Sequence, residues 1–198
     1  SPIGVASLRL IIASIFLLFL FYIQKKKIIF SKEVIFLLVI IGIVGNFIPF
    51  FLISWAEQFI PSSTAGMLMA IGPIITLIMS HFLTKNEKFS LMKIISIAIG
   101  LVGVFFIFNI NSFDNLFSNT SIEIYAKILV ILAAFGYMFS NIIAYEKLTN
   151  IDSFSITTFA TTFGAIFSLP FFIYDMSINN FEYNFDYKSA YAIVYLGI

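Results

Sequence analysis

Residues 3–23 read IGVASLRLIIASIFLLFLFYI and run directly into QKKK at 24–27. A strand of a membrane barrel alternates polar and apolar residues over about ten positions, whereas 11–21 is apolar on every side. The segment therefore reads as a helix. At 1.5 Å per residue, about 20 residues cross a hydrocarbon core of roughly 30 Å. It has no basic stretch ahead of it, and Lys25, Lys26 and Lys27 stand where a secretory signal would have small residues. It is expected to remain in the membrane.

The rest of the chain repeats this pattern. Apolar runs occupy 34–56, 64–83, 91–108, 124–145 and 153–174, and a seventh begins at Ala190. The chain of 198 residues is 61% hydrophobic and 11% charged, against about 45–50% and about 25% in soluble domains. Too little polar surface remains to cover a globule in water, so the expected fold is an all-α polytopic membrane protein. Net charge is +1 without a basic block, which argues against a nucleic-acid partner. With no cysteine and one histidine, thiolate chemistry and Cys- or His-cluster metal sites are excluded. No cofactor or metal is expected.

Lysines test the orientation. Lys25, Lys26, Lys27, Lys32, Lys85, Lys88, Lys93 and Lys147 belong to one membrane face, and Lys127 and Lys188 to the other. Eight against two places the first face in the cytoplasm. The first run then crosses from outside to inside, which implies a helix ahead of it. The run from Ala190 to Ile198 is too short to span, so the sequence is expected to be a fragment.

Displacing the sequence by 152 residues aligns Ser1 with Ser153, Ala13 with Ala165, Leu17 with Leu169, Phe19 with Phe171 and Tyr22 with Tyr174. The same displacement brings Ile41 onto Ile193 and Val44-Gly45 onto Leu196-Gly197. The two copies lie five helices apart. An odd separation reverses their direction through the membrane, which is the inverted-repeat plan of many secondary transporters.

Three segments then carry a family resemblance. They are AEQFIPSSTAGMLMAIGPIIT at 56–76, the loop NEKFS at 86–90, and GLVG at 100–103, with Pro2 and Arg9 heading the first span. Together they resemble the EamA family of the drug/metabolite transporter superfamily. The resemblance implies ten helices in two five-helix repeats. Residues 1–108 would be the first repeat without its first helix, 109–123 an outer-face linker, and 124–198 a truncated second repeat.

Among individual residues, Arg9 is the charge set well inside a span, and a guanidinium there needs a partner, water or a route to the interface. No acidic residue occupies the middle of a span. An anionic or zwitterionic substrate is therefore the expected countercharge. Pro49 and Pro73 each remove a helical hydrogen bond, freeing the carbonyls of Gly45 and Met69. Irregular backbone in a membrane is tolerated beside protein or a water-filled cavity, which makes Pro73 and Asn46 pathway candidates. Tyr137 and Asn141 are further candidates because they lie deep and are polar. Gly66, Ala70, Gly72, Gly100 and Gly103, with Pro49, are expected to serve helix packing or hinging.

The expected function is secondary transport of a small polar metabolite across the cytoplasmic, or inner, membrane of a bacterium, by alternating access. The partners are the bilayer and the solute, and the patterns carry no signal of oligomeric state. The alternatives are a membrane-embedded enzyme and a non-transporting receptor or assembly subunit. Enzyme chemistry is disfavoured: there is no intramembrane Asp, no Gly-x-Ser-x-Gly and no nucleotide-binding loop.

Overall fold

A computed structural model describes residues 1–25, 31–84, 90–107 and 120–178. Among these the regular structure is entirely helical. The elements are α1 (Pro2–Ile23), α2 (Lys32–Gly42), a π-helical turn (Ile43–Phe47), α3 (Ile48–Ala56), α4 (Ser62–Met69), α5 (Gly72–Leu83), α6 (Leu91–Ile107), α7 (Ser121–Lys147) and α8 (Ser153–Ile178).

Among the described residues, five spans are long and apolar enough to cross a membrane, Pro2–Ile23, Lys32–Ala56, Ser62–Leu83, Ser121–Lys147 and Ser153–Ile178, and the run expected at 91–108 is a shorter apolar helix. The chain is an all-α polytopic membrane protein. The seventh run from Ala190, most of the 109–123 segment, and Lys26, Lys27, Lys85, Lys88 and Lys188 lie outside the described residues.

Helix starts follow local capping chemistry. Ser1 Oγ accepts from the Gly4 amide at 3.2 Å, with Pro2 in the first turn where no donor is needed. Ser31 caps α2 through the Val34 amide at 3.2 Å. Asp152 accepts from the Ser155 amide at 3.1 Å and from its hydroxyl at 2.7 Å, fixing the start of α8. Within α8, the hydroxyls of Thr158, Thr162 and Ser168 donate to the carbonyls of Phe154, Thr158 and Ala165. Hydroxyls in lipid have no water to bond, so the helix's own carbonyls take them.

Both proline effects are larger than simple kinks. The Ile48 amide donates to the Ile43 carbonyl, five residues back, so a wide π turn precedes Pro49 and absorbs its missing donor. The run 64–83 is not one helix. α4 stops at Met69: the Ala70 amide is shared between the carbonyls of Gly66 and Met67, and the Ile71 amide reaches back only three residues, to Leu68. The chain resumes as α5 with Gly72-Pro73 in its first turn. A proline has no amide hydrogen to donate to the preceding turn, but it suits a helix start, where no donor is needed.

The helices pack in an order different from the sequence. The span α2–π turn–α3 lies between α7 and α8, α1 lies along α8, and α4 and α5 lie along α7, with α6 outermost beside α5. Consecutive helices α7 and α8 are thus held apart by an earlier span. One apolar cluster joins Ala56, Ile60, Ala65, Ala126 and Val130, a second joins Leu38, Ile41, Leu148 and Ala160, and a mid-span cluster joins Leu10, Phe47 and Ala165. The outward faces are apolar too, with Phe82 and Leu91 about three-quarters exposed, as expected where lipid is the solvent.

Close approach comes from glycines. A Cβ added at Gly42 would collide with the Ala160 carbonyl oxygen and sit 2.8 Å from the Gly164 nitrogen. One at Gly136 would lie 2.7 Å from the Val44 carbonyl oxygen. Side chains at these places would push α8 and α7 off the central span.

Candidate functional site

The gap between α7 and α8, floored by α2 and the π turn, is a cavity of about 550 Å³. It runs from Asn46 and Tyr137 near mid-span to Thr149 and Ile151 in the loop joining α7 to α8. Three of the residues singled out by sequence, Asn46, Tyr137 and Asn141, meet on its wall. Asn46 is there because the π turn carries it, and Tyr137 and Asn141 are there because they are four residues apart on one face of α7.

Ser140 also lines this cavity. Its hydroxyl is buried and has no hydrogen-bond partner, and its Cβ presses on Gly45, where an added Cβ would lie 2.5 Å away. Ser140 is not among the pathway candidates read from the sequence. Its position beside Tyr137 and Asn141 was the available signal.

A second cavity of about 800 Å³ lies between α5, α6 and α7. Pro73 lines it, with Thr76, Ser80 and Lys93. Asn141 and Tyr145 border both cavities and form the wall between them. Below the helix break, the Thr76 hydroxyl donates to the Gly72 carbonyl at 3.0 Å and contacts Met138 Sδ at 2.9 Å, tying α5 to α7.

Arg9 lines neither cavity. Its guanidinium carbon lies 4.5 Å from the centre of the Phe50 ring, and Phe50 meets Tyr137 edge-on at 5.9 Å. Arg9 Nε is buried without a hydrogen-bond partner. Cation–π contact is the compensation visible for this charge, and through Phe50 it links Arg9 to Tyr137 at the mid-span end of the first cavity.

The packing candidates divide. A Cβ on Gly72 would touch the Met138 methyl at 3.0 Å, so Gly72 does sit at a close contact. Gly66 is exposed and Ala70 half-buried, and α4 buries Thr64 and Ala65 instead. Gly100 and Gly103 meet nothing within 4 Å. The tightest contacts come from Gly42, Gly45, Gly136 and Gly164.

The sequence profile described as the EamA-like transporter family matches residues 1–109. The chain is 23% identical to the uncharacterized transporter YoaV of Bacillus subtilis, over 100% of this chain and 65% of that protein. It is 29% identical to the uncharacterized transporter YetK of Bacillus subtilis, over 92% of this chain and 54% of that protein. An uncharacterized transporter of Buchnera aphidicola is 25% identical over 99% of this chain and 63% of its own length. The chain thus spans less than two thirds of each relative. One crystal structure shares the fold with a TM-score of 0.72 at 16% identity, over 100% of this chain and 66% of that one.

Proposed function

The chain belongs to the EamA-like transporter family, and from that premise we propose that the protein is a secondary transporter of a small polar metabolite, working by alternating access between two inverted repeats in the cytoplasmic membrane. The observation that carries this reading is the mid-span cavity. It gathers Asn46, Tyr137, Ser140 and Asn141 from the π turn and α7 beside the break caused by Pro49. Transporter sites lie near the bilayer midplane at irregular helices. A volume of about 550 Å³ is in the range of small-molecule pockets, about 300–1,000 Å³.

The repeat reading, 1–108 and 124–198 joined by 109–123, has geometric support. Phe21 near the end of α1 stacks on Phe154 at the start of α8, and Leu10 and Ala165 share one mid-span cluster. The helices related by the 152-residue displacement therefore lie antiparallel against each other, as the two members of an inverted pair would. With the lysine-rich face in the cytoplasm, the loop at the cavity's end is cytoplasmic, so this conformer presents the cavity inward. The Arg9–Phe50–Tyr137 group then closes the opposite end. The outward-facing state requires these three to part, which makes Arg9 a gate residue of the pathway. Pro73, at the α4–α5 break, is the matching hinge beside the second cavity.

The test is solute flux by the full protein. Proteoliposomes are incubated with a small-molecule extract of the source cells and their contents analysed by mass spectrometry. At least one solute should accumulate beyond empty liposomes. Identical contents would contradict transport and leave a receptor or assembly role.

A further inference from the structure

We infer that the mid-span cavity binds an uncharged solute rich in hydrogen-bonding groups, such as an amide or polyol, and that Arg9 is not the solute's countercharge. The inference deepens the transport reading and rests on it for calling the ligand a transported solute.

Its first basis is the chemistry of the wall. Among the described residues lining the cavity there is no Asp, Glu, Lys, Arg or His. The polar side chains are the amides of Asn46 and Asn141 and the hydroxyls of Tyr137, Ser140, Tyr145, Thr149, Ser153 and Thr157, set among apolar side chains. Amides and hydroxyls offer both donors and acceptors, matched to a ligand of the same kind. A charged solute would surrender its hydration here without an opposite charge to replace it.

The second basis is Ser140. Its hydroxyl is within a residue only 2% exposed and lacks any hydrogen-bond partner. Buried polar groups are normally satisfied, and this one, packed against Gly45 on the cavity wall, has its hydrogen-bonding capacity left unused.

Third, Arg9, Lys93 and Asp152 lie outside the lining and are engaged elsewhere. Arg9 is absent from the lining and faces the Phe50 ring, whose edge meets Tyr137 on the cavity wall. Lys93 lines the neighbouring cavity, beyond the wall of Asn141 and Tyr145. Asp152 is bound up in capping α8.

The chain contains no cysteine, which permits a direct measurement of the field inside the cavity. Single Cys replacements at Asn141 and at the exposed wall residue Thr157 are made in the full protein and purified in detergent, so that access from both sides is equal. Each is modified with a sulfonate-bearing and a trimethylammonium-bearing methanethiosulfonate of similar size, and rates are normalised to a Cys at exposed Tyr125. A neutral cavity predicts an anion-to-cation ratio within about fivefold of unity, unaltered by Arg9→Gln. A ratio beyond about fivefold in either direction overturns the inference, and one favouring the anion that collapses with Arg9→Gln would restore Arg9 as an anion site. Absence of reaction at both positions would overturn the accessible cavity itself. Transport by vesicles is scored separately, so failure of neutrality and failure of the transport reading give different results.

Discussion

The guanidinium of Arg9 lies 4.5 Å from the centre of the Phe50 ring, joining α1 to α3 at the depth where the cavity ends. A full charge inside a span is costly, and here its visible compensation is an aromatic face rather than a carboxylate. Phe50 in turn meets Tyr137 of α7 at 5.9 Å. One charge therefore links the flank of the bundle, the central span and the cavity wall.

That link is measurable. In a double-mutant cycle on unfolding of the purified protein, Arg9→Gln and Phe50→Leu should be non-additive by about 0.5–2 kcal/mol. Arg9→Lys should retain part of the coupling, because it keeps the charge and loses the planar fork. Additive single effects would mean that the contact contributes nothing.

Helix spacing provides a second prediction. Gly164→Ala should destabilise the protein by about 1–3 kcal/mol, because a Cβ there would lie 2.7 Å from the Gly42 carbonyl oxygen. Gly100→Ala should be neutral or stabilising by up to about 1 kcal/mol, since its Cβ meets nothing within 4 Å and alanine favours helix. Thermal unfolding in detergent compares the two, and equal shifts would contradict the packing described.

Pro73→Ala should leave insertion and abundance unchanged but slow flux several-fold, by letting α4 and α5 join across the Ala70–Ile71 break. Flux equal to that of the unmodified protein at equal abundance would make the break a fixed packing feature.

Membrane orientation is tested with an impermeant thiol reagent. Gln58→Cys, in the exposed turn after α3, should label in intact cells. Thr149→Cys, exposed in the loop before α8, should label only after the cells are opened. The reverse pattern would turn the cavity outward.

The spans were legible because hydropathy over 20 residues is a physical requirement of the bilayer. Pro49 and Pro73 marked irregular backbone for an equally local reason, although the π turn and the complete break exceeded the kinks expected. Partner faces were not legible. In lipid the outside of a helix is as apolar as its inside, so hydropathy cannot say that α7 and α8 are separated by an earlier span. Residue size is the remaining signal, and it is ambiguous: Gly42 and Gly100 look alike in sequence, yet one touches α8 and the other meets open space. Asn46, Tyr137 and Asn141 were found as deep polar residues, and the cavity gathers them. Arg9 was found as a deep charge, but the ring that covers it lies 41 positions later and no local pattern announces it.

The most direct measurement of the cavity's role is the flux of an accumulated solute through Asn141→Leu protein, which keeps the size of the side chain and removes its amide from the wall of both cavities. At equal amounts of inserted protein, the account predicts a loss of about tenfold or more, since a solute group bonded to the amide would be left unpaired. Flux within about twofold of the unmodified protein would contradict it, and would move the solute's path away from the gap between α7 and α8.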